Sequence, residues 1–186
     1  MNFDNEKTMC LNKLDQSKKG EIDKDILPLV NKINSLDDYY TTSTCSGRIL
    51  LMYVPEDFKK NQVKWLFSSH NTIKYLDIKK TIDNSKEEDI WFRQESAIIH
   101  IACKDINTAS KLIEIAKQCG FKRSGIQAAS KRIILELVST ELIYLPIKKY
   151  NQLLVDEDYI KIIINEANKS LLRTKQKIKK LTSSLQ

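Results

Sequence analysis

The sequence is poor in the two residues that break regular structure, with only 4 Gly and 3 Pro in 186 residues. That scarcity argues against a disordered or low-complexity chain, and a hydrophobic share of 41% is enough to build a core. Histidine is scarcer still. Only His70 and His100 are present, so a histidine-rich metal site is not expected. Cys10, Cys45, Cys103 and Cys119 lie far apart with no C-x-x-C pair, which argues against a zinc site and against a disulfide framework. No metal is expected. There is no apolar run of ~18 residues, so no membrane span is expected. The N-terminal residues MNFDNEKTM lack the charged-then-apolar pattern of a signal peptide. A cytoplasmic protein is the expectation. Neither G-x-G-x-x-G nor a Walker loop occurs, which leaves a standard nucleotide fold unsupported.

Positive charge is plentiful. Thirty-one basic against 24 acidic residues give a net charge of +7. The excess is uneven: Lys169 to Lys180 holds six cations and no acid, whereas Asp83 to Glu95 is locally acidic. A basic surface favours polyanions through counterion release, although such runs are more often solvated faces.

Hydrophobic periodicity predicts alternating helices and strands. Phe3, Cys10, Leu11 and Leu14 share one helical face, and a polar turn follows around Gly20. Asp25 is placed to cap a helix through about Asn34, with Pro28 in its tolerant first turn. Strands are expected near Gly47 to Val54, Val63 to Phe67, Ile90 to Arg93 and Ala97 to Cys103. A helix is expected over Thr72 to Ile82. Another, capped by Asp105 or Asn107, should stop at Gly120. Phe121 to Ala128 and Lys131 to Val138 read as an antiparallel pair, with Leu142 to Ile147 as an apolar tail to that sheet. A long helix over Asp156 to Leu181 closes the chain. Its face of Ile160, Ile163, Ala167, Leu171, Thr174, Ile178 and Leu181 needs a partner, either the main body or a second subunit in a homodimer. The fold class predicted is α+β: a mixed, largely antiparallel sheet with packed helices, not a Rossmann arrangement.

Candidate chemistry gathers in four short places. Tyr39 to Arg48, YYTTSTCSGR, packs five Ser or Thr residues, one thiol, one glycine and one arginine into a segment read as a loop. It offers hydroxyl donors, an approachable backbone at Gly47, and a guanidinium fork at Arg48. Cys45 reads better as a small buried residue than as a nucleophile. Ser69 and His70 end an apolar strand. His100 lies in AIIHIAC, where inward Ile99 and Ile101 would turn it outward. Arg93 and Glu95 share a strand face and read either as a surface ion pair or as a grip on a zwitterion. Gly120 to Ile126 sets Lys122, Arg123 and Ser124 between Gly120 and Gly125. This is either a helix stop with a bulge or an anion-binding turn.

Taken together these blocks resemble the tRNA wybutosine-synthesising methyltransferase family, the enzyme acting third in that pathway, in its archaeal form. The matching residues are Leu14 to Gly20 with Ile22-Asp23, Thr42 to Arg48, Trp65 with Ser69-His70, Phe92-Arg93 with Glu95 and His100, and Gly120 to Ile126, with Pro146 closing the sheet. Thr44 stands where the family usually has serine. Gln94-Glu95-Ser96 lacks the proline that the family tends to place after the glutamate. The resemblance covers about Phe3 to Ile147 and implies residues 1–150 as the methyltransferase domain. Residues 151–186, outside the strongest similarity, are read from their periodicity and charge as a basic amphipathic helix. It implies methyl transfer from S-adenosylmethionine to N-4 of a tricyclic wyosine precursor at guanosine 37, in the anticodon stem-loop of tRNA-Phe.

On that reading His70, ahead of His100, accepts the proton. Ser43, Thr44, Cys45, Ser46, Gly47, Arg48, Ser69, Arg93, Glu95, Ser124 and Gly125 bind cofactor or substrate. Tyr39 and Tyr40 stack an unpaired base, while Lys122, Arg123, Lys175 and Lys179 meet RNA phosphates. The rivals are a non-catalytic module binding the tRNA anticodon loop and a small-ligand sensor with an oligomerising helix.

Overall fold

The computed structural model describes residues 2–12, 22–55 and 62–185. The expected turn around Gly20 and the block from Leu14 to Gly20 lie outside them. In chain order the elements are α1 (Phe3–Leu11), α2 (Leu27–Ser35), β1 (Tyr39–Cys45), β2 (Arg48–Tyr53), β3 (Lys64–Ser69), α3 (Tyr75–Asn84), β4 (Ile90–Glu95) and β5 (Ile98–Cys103). There follow α4 (Ile106–Gln118), β6 (Gly125–Ala128), β7 (Ile133–Val138), β8 (Ile143–Lys149), β9 (Gln152–Leu153) and α5 (Glu157–Ser184). Every described strand pair is antiparallel. The fold is α+β as expected, but the strands form two sheets, ordered β1-β5-β7-β6 and β3-β2-β4-β8-β9, rather than one mixed sheet.

Each sheet organises a compact unit. The first comprises Met1–Ser46, Ala97–Thr140 and Thr174–Gln186, and the second comprises Gly47–Ser96 and Glu141–Arg173. In the first, Ile99 and Ile101 of β5 and Leu135 and Leu137 of β7 pack with Leu29 and Ile33 of α2, Leu112 and Ala116 of α4, and Ile178 and Leu181 of α5. In the second, Ile49 and Leu51 of β2 and Ile90 and Phe92 of β4 pack with Ile78 of α3 and with Ile160, Ile163, Ala167 and Leu171 of α5. These units are interleaved along the chain. The expected division at residue 150 separates α5 from everything before it, whereas α5 contributes residues 157–173 to the second core and residues 174–184 to the first.

The apolar face of α5 is therefore buried within the chain, from Ile160 to Leu181. That is the main-body alternative for this face, while Ile162 and Leu172 on other sides of α5 are exposed. Much of the basic run is engaged as well. Lys175 pairs with Asp25 at 2.7 Å, Lys177 donates to Thr140 Oγ1 at 3.0 Å, and Lys180 donates to the Gln118 carbonyl at 3.0 Å. Lys179 is exposed. Asp25 thus serves α5 rather than capping α2, whose N-cap is Ile26 without a side-chain bond.

Two strands depart from expectation for identifiable reasons. The hydroxyl-rich segment taken for a loop is mostly strand β1, because its β-branched threonines suit a pleated backbone. A bulge between Thr41 and Ser43 sets its register on β5. The apolar stretch before residue 147 is not a tail to the β6–β7 pair. It is β8, paired with β4 in the other sheet. Pro146 is tolerated there because β4 slips register at Ile90/Trp91 and β9 pairs only with Lys148 and Lys149.

The remaining expectations hold in outline. Asp105 caps α4, accepting from the Thr108 N–H at 2.7 Å. The helix then stops at Cys119, and Gly120 follows with φ +100°. A Cβ on Gly120 would meet Lys177 Cε at 2.7 Å, a flexible chain end that can shift, but the left-handed backbone cannot relax so easily. Gly120→Ala should therefore lose ~1–3 kcal/mol, read as a lower denaturation midpoint of the first unit. An unchanged midpoint would show that the turn is not held in this conformation.

Candidate functional sites on the two sheets

The segment from Tyr39 to Arg48 is β1, a two-residue connection and the start of β2. Ser46 is 0% exposed, and both its N–H and its hydroxyl donate to Asp23 Oδ2 at 3.1 Å. Gly47 follows with φ +88°, a conformation that favours glycine. Its carbonyl accepts from His70 Nδ1 at 2.8 Å. Because a carbonyl only accepts, that nitrogen carries a proton. Ser69, beside it, holds a local turn, donating to the Asn71 carbonyl at 2.9 Å and accepting from its N–H at 3.0 Å. Ser46 and Ser69 thus shape backbone. Asp23, which in the sequence is only one residue of a matching block, anchors this turn.

On the first sheet a polar row crosses the face opposite the core. Ser43 of β1 stands opposite His100 of β5, which stands opposite Glu136 of β7, which stands opposite Gly125 of β6. Ser43 Oγ lies 2.8 Å from His100 Nδ1, and His100 Nε2 lies 3.0 Å from Glu136 Oε2. Gln127 Nε2 donates to Glu136 Oε1 at 2.7 Å. The carboxylate requires a proton on Nε2, so Nδ1 accepts the Ser43 hydroxyl. A carboxylate, an imidazole and a hydroxyl in series can pass a proton. Gly125 leaves room beside them, since a Cβ there would meet nothing within 4 Å.

Glu136 and Gln127 went unnoticed in the sequence. The available signal was an acid alternating with apolar residues in IILELV.

Other expected residues do not join this row. Thr44 stands opposite Ile99 and shares its face, away from Ser43, while Cys45 is half-buried opposite Ile98. Ser124 is structural, donating to the Phe121 carbonyl at 2.6 Å and accepting from the Val138 N–H at 3.2 Å. Arg123 turns Nε and Nη2 to the Ser139 carbonyl at 3.3 and 3.2 Å, and both it and Lys122 are exposed. The expectation that Tyr39 and Tyr40 stack a base is corrected. Tyr40 is 0% exposed. Tyr39 packs against the core and donates to the Thr108 carbonyl at 2.9 Å, and burial pushes its pKa up to about 12.

On the second sheet the face away from the core carries a charged and aromatic row. Arg48 Nε donates to Glu95 Oε2 at 2.5 Å. Arg93 Nε lies 3.1 Å from Glu95 Oε1 as an ion pair without hydrogen-bond geometry. Glu95 therefore bridges two arginines rather than forming an isolated surface pair with one. The Arg48 guanidinium lies 4.2 Å from the Trp65 ring centroid and that of Arg93 5.3 Å from Tyr144.

The comparisons with known proteins agree with one another. The family described as methyltransferase TYW3 matches residues 5–186. A Thermococcus sibiricus protein named tRNA(Phe) 7-((3-amino-3-carboxypropyl)-4-demethylwyosine(37)-N(4))-methyltransferase is 40% identical, covering 100% of this chain and 95% of the relative. A Danio rerio relative, named tRNA wybutosine-synthesizing protein 3 homolog, is 35% identical over 99% of this chain and 74% of its own length. A solved Pyrococcus horikoshii structure superposes with a TM-score of 0.93 at 37% identity, covering 100% of this chain and 96% of that one.

The Asp23–Ser46 pair is open to direct test. Asp23→Ala leaves two donors of a buried serine without this acceptor, which should lower stability by ~1–3 kcal/mol. Asp23→Asn, which keeps an acceptor oxygen, should lose less. Equal midpoints for wild type and Asp23→Ala in denaturant would remove this anchor.

Proposed function

The chain belongs to the TYW3 methyltransferase family, and on that premise we propose that it methylates N-4 of 7-(3-amino-3-carboxypropyl)-4-demethylwyosine at position 37 of tRNA(Phe). The observation that carries this reading is the match of nearly the whole chain to archaeal relatives named for that reaction, at 40% and 38% identity. It favours an enzyme over a non-catalytic anticodon-loop module. Position 37 lies just 3′ of the anticodon, so the anticodon stem-loop is the part of the partner to be held. No helix among the described residues is long and apolar enough to cross a membrane, and we place the chain in the cytoplasm with its tRNA.

The methyl donor in this reading is S-adenosylmethionine, which supplies a methyl group already activated by the sulfonium. Its amino-acid end carries one ammonium and one carboxylate. Glu95 with Arg48 and Arg93 offers both complementary charges, and the buried Arg93 Nε has no hydrogen bond. Arg48, Arg93 and Glu95 would bind cofactor or substrate there.

The protein must also remove the proton that N-4 carries. We assign it to Ser43, His100 and Glu136. The N-4 proton passes to Ser43 Oγ as the Ser43 proton passes to His100 Nδ1, and the Glu136 carboxylate stabilises the resulting imidazolium. This reverses the sequence-based order of the histidines. His70 is backed by the neutral Gly47 carbonyl, and His100 by a carboxylate. His70 then serves to hold the Gly47 turn.

Purified protein should add one methyl group to that base in tRNA(Phe), located at N-4 by mass spectrometry after digestion. Methylation at another atom, or none with S-adenosylmethionine present, contradicts the assignment. His100→Gln should reduce saturated turnover by roughly 10²–10⁴-fold, and His70→Gln by less. The opposite order would return the proton to His70.

A further inference from the structure

The row on the second sheet contains more than the charges used above. From β3 across β2 and β4 to β8 run Trp65, Arg48, Arg93 with Glu95, and Tyr144, with Trp91 stacked on Tyr144 at a centroid distance of 4.7 Å and an interplanar angle of 24°. Register confirms the shared face: Arg48 stands opposite Glu95, Met52 opposite both Trp65 and Trp91, and Arg93 opposite Tyr144. Leu50 and Met52 on this face are buried, and large rings beside them are normally covered too. Here Trp65 is 50% exposed and Tyr144 43% exposed. A guanidinium lies against each ring, which fixes it and leaves aromatic surface for another planar group.

We propose that Trp65 and Tyr144 are base-stacking platforms for unpaired nucleotides of the RNA loop that carries the target base. An exposed ring backed by arginine on a β-sheet face suits an unstacked base, which every nucleotide can offer, while the cations favour the neighbouring phosphates. Two arginines against one glutamate leave the face net positive, complementary to RNA rather than to an acid-poor protein surface. The stacking role expected of Tyr39 and Tyr40 falls instead to rings that are exposed. The inference rests on the proposed tRNA substrate and assigns its loop to a surface.

The test is equilibrium binding of the full chain to an isolated tRNA(Phe) anticodon stem-loop, by fluorescence anisotropy at fixed salt. A fully paired RNA duplex serves as control. Trp65→Ala and Tyr144→Ala should each weaken stem-loop binding by roughly five- to a hundredfold. Trp65→Phe and Tyr144→Phe should retain most of the affinity, and duplex binding should change little. The salt dependence should keep its slope in all four variants, because no cation is removed. Wild-type affinity in the folded alanine variants overturns the proposal, as does equal loss toward duplex and loop. A change in oligomeric state without loss of RNA affinity overturns it too, and makes the rings a protein interface. The two readings separate cleanly. If wild type binds the stem-loop and methylates while the alanine variants bind equally well, only the stacking surface fails. If the variants lose binding but wild type transfers no methyl group, only the reaction fails.

Discussion

Period-two alternation in antiparallel strands is the constraint from which the rest of this structure follows. In β5, burying Ile99 and Ile101 forces Ile98 and His100 to the other face. In β4, burying Ile90 and Phe92 forces Trp91, Arg93 and Glu95 outward. The hydrophobic effect that builds each core therefore also places the polar groups. Register then decides which of them meet. His100 stands opposite Ser43 on one side and Glu136 on the other, and Glu95 stands opposite Arg48. A slip of one residue in any of these pairings would turn a whole strand over and dissolve the row.

Charge follows the same logic of internal use. The chain carries a net +7, yet Lys175, Lys177 and Lys180 engage Asp25, Thr140 and the Gln118 carbonyl. A basic stretch that looked available for phosphates is largely part of the packing of α5. The surface proposed for RNA lies instead on the second sheet, where arginines stand beside exposed rings. Arginine suits that position because its planar cation can lie against an aromatic ring while its edge keeps its donors.

Much of this was legible in the sequence. His100 was placed outward by alternation alone, Gly120 by its position after an apolar helix, and the α+β class, expected with one mixed, largely antiparallel sheet, by the interleaving of short periods. What escaped depended on pairings distant in sequence. Glu136 lies 36 residues from His100, and no local pattern joins them. Tyr39 and Tyr40 resembled exposed aromatics because their neighbours are polar, but α1, α2 and α4 bury one ring and draw in the other. The hydroxyl-rich segment read as a loop because serine and threonine serve turns and strands alike. Only pairing with β5 resolves that ambiguity.

The central claim is that Glu136 acts on the transferred proton through His100. Saturated methyl transfer by wild type, Glu136→Gln, His100→Gln and the double variant measures it most directly. Groups that act in series are not additive. The account predicts a loss in Glu136→Gln and no further loss when it is added to His100→Gln. Multiplying losses in the double variant, or wild-type turnover in Glu136→Gln, would contradict it.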